Sequence, residues 1–251
     1  MSNRLHALDA VRGAAALAVV AYHYTGWHPG VYGVEVFFAA SGWLIARGLL
    51  DRPTSYADHL RRRAARLVPG YWVWAVIVTL VFASKHPPPL LAHLTFLAGC
   101  WPWGQHPANV AWSLTPEAVW YLLAPWLVRR PKLLMLGTVA LVVGALGGSH
   151  LCRAWAIGVG AVLAVDGTEL PRLPRVPGLE WVGRHCLGVY LWHTVGLWLA
   201  LGWGLPAASG LLFTAGAAWS AARWVEQPGR RLLLGWTSPS PGEPAASSGP
   251  R

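Results

Sequence analysis

The chain has 251 residues, of which 55% are hydrophobic and only 12% charged. A soluble domain of this size usually carries about 25% charged residues, so an ordinary soluble enzyme is excluded and no room is left for a large soluble domain. The formal charge of +10 would suit nucleic acid. Its distribution argues otherwise, because the basic residues sit in short segments between apolar runs, as topology signals do.

Several apolar runs approach the roughly 20 residues needed to cross a bilayer. They predict an all-α fold, a polytopic transmembrane helix bundle of about eight spans (eight to ten), built as one domain over residues 1–236. Seventeen Trp fit interfacial anchoring or a lined cavity. Cys100, Cys152 and Cys186 show no CxxC spacing and read as packing residues, and no metal site is expected.

In chain order, Met1 to Leu8 is a short amphipathic lead-in. The first span is expected over Asp9–Trp27; it carries Arg12 and lacks a small-x-small cleavage site, so it reads as a mature span and not a signal peptide. The second is expected over Tyr32–Leu50. The basic stretch Asp51–Arg66 follows, and a third span over Leu67–Ala83 is expected to open with Pro69, which is tolerable in a first helical turn. The apolar piece Leu90–Trp103 is short for a span and reads as re-entrant or interfacial. Further spans are expected over Ala111–Val128, Leu133–Gly147, Leu151–Val165, Cys186–Trp203 and Ala207–Trp224, with a Pro-rich loop over Asp166–Arg184. Residues 237–251 are Ser, Pro, Gly and Ala for the most part and read as a disordered tail. With eight spans, only Lys85 and Arg153 of the twenty Lys and Arg fall on the side opposite the N-terminus, which assigns both termini to the cytoplasm.

The first two spans hold the ionisable groups that set the argument. Arg12, His23 and Glu35 have no other strongly charged neighbour between Ala10 and Ala46. Such groups are expensive in lipid and mark a functional site by default, although a hydrogen-bonded structural pair is the plainer alternative. Arg12 and His23 are eleven residues apart, which returns to within about 20° of one helix face, roughly 16 Å further along the axis. An antiparallel second helix is expected to bring Glu35 back beside His23. A carboxylate there would hold one tautomer of a general base.

Arg63 and Arg66 are spaced i, i+3 and share a helix face. Two guanidinium forks so placed suit phosphates, while plain positive-inside charge explains many such clusters. In Trp112-Ser113-Leu114-Thr115-Pro116-Glu117, Thr115 is expected to cap the fourth span, with Glu117 one turn inside it. Compensation of the helix dipole is the alternative for that carboxylate. In Tyr190-Leu191-Trp192-His193, His193 is either a second titrating group or a satisfied structural histidine. Glu226-Gln227-Pro228 reads as a cap or salt bridge at the end of the last span.

Taken together these segments resemble acyltransferase family 3, the membrane proteins that include bacterial O-antigen and other glycan O-acetylases. Leu8-Asp9-Ala10-Val11-Arg12-Gly13 is similar to the family's LDGLRG, and Arg12 with His23 reproduces its Arg/Lys-x10-His signature. Gly33 to Trp43 is similar to GVDLFFVLSGF, Arg62 to Pro69 to RRxxRIxP, and Trp112 to Glu117 to WSLSVE. Tyr190 to His193 matches YLWH, and Glu226 to Pro228 matches ExP. The matches run from residue 8 to residue 230 in the family's order. Glu35 stands for the usual Asp, Pro116 for a small or aliphatic residue, and Trp43 for Phe; family members are usually longer, with about ten spans.

The resemblance implies acyl transfer, most commonly of acetyl, from cytoplasmic acyl-CoA to a hydroxyl of a glycan or other acceptor at the outer face of a bacterial cytoplasmic membrane. By it, His23 is the catalytic base and Glu35 its partner. Arg12, Arg63 and Arg66 handle the donor, and Ser41, Trp112, Ser113, Glu117 and His193 are further candidates. A covalent acyl-histidine route stays open. The rival readings are a transporter or lipid flippase in which buried charges carry protons, and a non-catalytic membrane partner.

Overall fold

The computed structural model describes residues 2–52, 54–82, 89–100, 107–147, 151–169 and 174–235. Among them every element is helical. In order the helices are α1 (Ser2–Thr25), α2 (Gly33–Asp51), α3 (Tyr56–Val81), α4 (Leu90–Leu94), α5 (Leu114–Leu127), α6 (Pro131–Leu146), α7 (Trp155–Val165), α8 (Pro177–Arg184), α9 (Cys186–Gly202), α10 (Ala207–Ala221) and α11 (Gln227–Leu234). Short 3-10 turns over His28–Tyr32, Pro107–Ser113 and Leu151–Ala154 lead into α2, α5 and α7. Apolar runs give the helices, and Gly and Pro punctuate them. Gly26, at φ 72°, takes the left-handed conformation that ends α1.

The eight longest helices, α1, α2, α3, α5, α6, α7, α9 and α10, fall on the eight apolar segments read from the sequence. Two segments, His28–Asp51 and Tyr56–Val81, are long and apolar enough to cross a membrane by length and composition. Pro131–Leu146, Cys152–Val165 and Cys186–Gly202 are apolar but shorter. Large apolar side chains are exposed along α6, at Leu133, Met135, Leu136, Val139, Val143 and Leu146. Water-soluble proteins rarely show so continuous an apolar surface.

Inside, the helices approach through small residues, as helices do where lipid supplies no hydrophobic drive between them. A Cβ on Gly42 of α2 would lie 2.0 Å from the Ile157 carbonyl oxygen of α7, and one on Gly160 would lie 2.0 Å from that of Ala39. The same close approach joins α1 to α8 at Gly13 and Gly183, and α9 to α10 at Gly196 and Gly210. The largest fully buried side chains, Trp74, Tyr71, Phe38 and Ile45, belong to α3 and α2.

Four expectations are corrected. The helix carrying the arginines begins at Tyr56 and not at Leu67. Ser55 caps it by accepting the Asp58 N–H (3.1 Å), a capping-box signal present in the sequence. Pro69 therefore lies inside α3, where its ring packs against Gly229, which has no Cβ to obstruct it. The Pro-rich loop contains a helix of its own, α8, whose Glu180 accepts a hydrogen bond from the His6 ring (2.9 Å). Thr115 does not cap α5. Its hydroxyl donates to the Phe96 carbonyl (2.6 Å) and accepts the Gly99 N–H (2.8 Å), tying the 90–100 segment down. Within that segment α4 and the turn Ala98–Cys100 are too short to span a bilayer. Lys85, Arg172, Trp101 to Trp103 and the tail lie outside the described residues.

Candidate functional site

One stripe of α1 organises the site. Arg12, Ala15 with Ala16, Val19 and His23 succeed one another at steps of three and four residues, so they line a single face. The stripe runs from one polar cluster to another, and its middle residues Ala15, Ala16 and Val19 line an apolar pocket.

At the first cluster Arg12 is buried, its guanidinium 4.9 Å from the Phe37 ring centre. Arg63 lies 6.0 Å from the centre of the Tyr121 ring. Arg12, Arg63 and Arg66 are within electrostatic reach of one another and of Glu117. Glu117 is buried and accepts the Tyr121 hydroxyl proton at 2.5 Å. Asp9 lies within electrostatic reach of Arg12 and Arg66, and Glu226 of Arg66, so three carboxylates in all face the three guanidinium groups. The Nε atoms of Arg12 and Arg63 are buried without a hydrogen-bond partner. Buried donors of this kind are normally satisfied. A ligand with several anionic oxygens has the geometry to satisfy them.

The pocket lies beside this cluster. α1 contributes Ala15 and Val19, α2 contributes Val34 and Phe37, and Glu117 and Tyr190 complete the wall. Cys186 and Ser113 also border it. The slot is narrow and its walls are apolar.

At the other cluster His23 is exposed and its ring centre stands 5.0 Å from that of His193. His193 is fully buried, and its Nδ1–H donates to the Tyr190 carbonyl at 2.7 Å. The Tyr24 hydroxyl donates to the His193 carbonyl at 3.1 Å. The Tyr190 and Ser113 hydroxyls both donate to the carbonyl of Val110, at 3.1 and 3.2 Å.

Glu35 is not held by His23. Its carboxylate pairs with Arg153 at 2.5 Å, and Arg153 also donates to the Val31 carbonyl at 3.0 Å. The guanidinium stands 5.4 Å from the Trp112 ring centre. The cause is helix placement. α2 packs along α7, and the turn Leu151–Ala154 delivers Arg153 to the first turn of α2. Glu35 Oε2 is buried and has no hydrogen-bond partner.

The structure thus gathers Arg12, Arg63, Arg66 and Glu117 at one end, and His23 with His193 at the other. Trp112 and Ser113 border the second cluster, whereas Ser41 is buried on α2 outside the pocket lining. Sequence reasoning missed Arg153 and Tyr190. The signal for Arg153 was available, since it is one of two basic residues that break the charge asymmetry. Among the described residues no group of three or more His, Cys, Asp or Glu is placed to hold a metal ion.

A family model described as an acyltransferase domain matches residues 5–168. The peptidoglycan O-acetyltransferase OatA of Listeria monocytogenes is 29% identical over 199 residues, which cover 66% of this chain and 30% of that protein. The O-acetyltransferase OatA of Staphylococcus aureus is 29% identical over 149 residues, 49% of this chain and 24% of that protein. The chain therefore spans less than a third of the length of these relatives. No solved structure matches it.

Proposed function

The chain belongs to acyltransferase family 3, and on that premise we propose that it is an integral membrane O-acyltransferase. It moves an acyl group, acetyl in the first instance, from acyl-CoA to a hydroxyl of peptidoglycan or another glycan. The observation that carries the reading is the α1 stripe, which has a buried arginine with an unsatisfied donor at one end, an exposed histidine at the other and an apolar pocket against its middle residues.

In this reading residues 1–236 form a single domain. The bundle crosses a bacterial cytoplasmic membrane about eight times, with both termini on the basic, cytoplasmic side. The arginines face the cytoplasm, where acyl-CoA is found, and His23 faces outward. The charge asymmetry of the loops supports this orientation.

The chemistry is direct. Arg12, Arg63 and Arg66 hold the donor's phosphates, and the thioester extends into the pocket beside Glu117. The unprotonated nitrogen of His23 takes the proton from the acceptor hydroxyl as its oxygen attacks the acyl carbon. The new C–O ester bond forms, the C–S bond breaks, and the thiolate leaves and recovers a proton from the imidazolium. General-base help of this kind is worth roughly 10²–10⁴-fold. Glu35, paired with Arg153, shapes the mouth of the site and does not orient the base.

The test is thiol release from acetyl-CoA by the purified chain in nanodiscs, wild type beside His23→Ala. Release that depends on His23 is the expected result. Wild-type activity in a folded His23→Ala protein overturns the base assignment. Absence of both release and acyl-CoA binding overturns the donor assignment and returns the chain to the transporter or partner readings.

A further inference from the structure

We propose that His193 is the positioning residue for His23, the role that the spacing of the sequence assigns to Glu35. The inference rests on His23 being the base.

The argument starts from the tautomer. A carbonyl oxygen only accepts, so the 2.7 Å contact with Tyr190 fixes the proton of His193 on Nδ1. In a neutral imidazole the other nitrogen is then a bare acceptor. That atom, Nε2, is buried and has no hydrogen-bond partner. The backbone around it is held as well, because the Tyr24 hydroxyl clamps the His193 carbonyl and Gly196 seats α9 tightly on α10. His193 is thus a rigid, oriented lone pair, unsatisfied where almost every buried polar atom is paired.

His23 is the group beside it. The ring centres are 5.0 Å apart and the planes are inclined at 51°. As the rings stand His193 Nε2 is without a partner, and a centre separation this short lets a hydrogen bond form once a nitrogen of each ring is turned toward the other. His23 is exposed and able to turn about its own torsions, whereas His193 is not. Rotation of His23 places one of its N–H groups on Nε2 of His193. Its other nitrogen is then bare and directed at the acceptor.

This arrangement does what a carboxylate does in a hydrolase triad, with one difference. The partner is neutral, so it selects a tautomer and accepts a hydrogen bond from the imidazolium without adding a full charge to an apolar site. During transfer the acceptor's proton moves to the bare nitrogen of His23, and His193 keeps its own proton on Nδ1. Arg153 engages Glu35 through Oε1 and holds its carboxylate against the turn before α7.

The experiment uses the full chain in nanodiscs with ¹⁵N-labelled histidine, in the wild type, His193→Gln and His193→Phe. In the wild type, His23 is expected as a single tautomer. Phe removes the acceptor and should leave His23 as a mixture of tautomers. The rate of thiol release from acetyl-CoA should fall about 10²-fold in kcat, with KM for the donor unchanged. Gln keeps an acceptor near the Nε2 position and should recover at least tenfold of that loss. A single His23 tautomer in the Phe variant, or equal rates for Gln and Phe, overturns the proposal. If His23→Ala leaves release intact, the base assignment fails instead, and the tautomer readout still decides whether His193 orients His23.

Discussion

The two ends of the α1 stripe solve opposite problems. The arginine end gathers charge: three guanidinium groups lie among Glu117, Asp9 and Glu226, and the Nε atoms of Arg12 and Arg63 are buried without a hydrogen-bond partner. The histidine end contains two imidazoles 5.0 Å apart, with its one strong ion pair, Glu35 with Arg153, kept to itself. Guanidinium donors buried without partners suit the capture of an anion. A neutral pair with one oriented lone pair suits the movement of a proton. The difference teaches that the proposed function divides binding from chemistry along α1, so a substitution at one end should leave the other's kinetic signature intact.

The largest effect is expected at the histidine end. His23→Ala should lower kcat about 10³-fold while KM for acyl-CoA stays within twofold, since general-base removal costs roughly 10²–10⁴. Steady-state thiol release measures both constants. A matching rise in KM would show that the two ends are not separable.

Next comes the arginine end. Arg63→Ala and Arg66→Ala should each raise KM for the donor about 10- to 100-fold, the equivalent of one charged hydrogen bond worth about 1.5–3 kcal/mol. The effect should weaken as salt is raised. Arg63→Lys should recover only part of it, because an ammonium lacks the fork that holds a phosphate bidentately. Direct binding of acyl-CoA to the His23→Ala protein isolates this end from the chemistry. Full recovery by Lys would reduce the cluster to a point charge.

A third prediction probes the frame that keeps the ends apart. Gly160→Ala puts a methyl 2.0 Å from the Ala39 carbonyl oxygen. It should cost about 1–3 kcal/mol through forced separation of α2 and α7. A lowered unfolding midpoint in detergent is the readout. Because α7 brings Arg153 to Glu35, activity should fall alongside stability.

The smallest effect is expected for the Glu35 and Arg153 pair. Glu35→Gln and Arg153→Gln should each destabilise the protein, and the double variant should cost less than their sum, by about 0.5–3 kcal/mol in a double-mutant cycle. Tautomer selection at His23 should be unchanged in both. A loss of the single tautomer in Glu35→Gln would restore Glu35 as the orienting group.

Much of this was legible in the chain. The stripe from Arg12 to His23 follows from helical spacing alone, and the spacing of Arg63 and Arg66 placed them on one face. The start of α3 was also written in Ser55 and Asp58, but Pro69 is the louder signal and points to a later start. What makes a mid-helix Pro tolerable is Gly229, more than 150 residues further on, and no local rule reaches that far. Glu35 shows the same limit. Hairpin geometry brings the start of α2 near the end of α1, but the turn His28–Tyr32 and the packing of α2 on α7 decide which side chain the carboxylate meets.

By itself the sequence determined the helical class, the positions of the eight main helices, the family and the residue types at both ends of the α1 stripe. Hydrophobic periodicity, helix-breaking residues and ordered motifs are local properties and survive without a fold. Only the tertiary structure decided the neighbours: Arg153 for Glu35, the His193 ring beside that of His23, and Glu117 with Asp9 and Glu226 for the arginines. Partner choice depends on how helices distant in sequence pack through their glycines, and that packing is a property of surfaces the linear chain does not display.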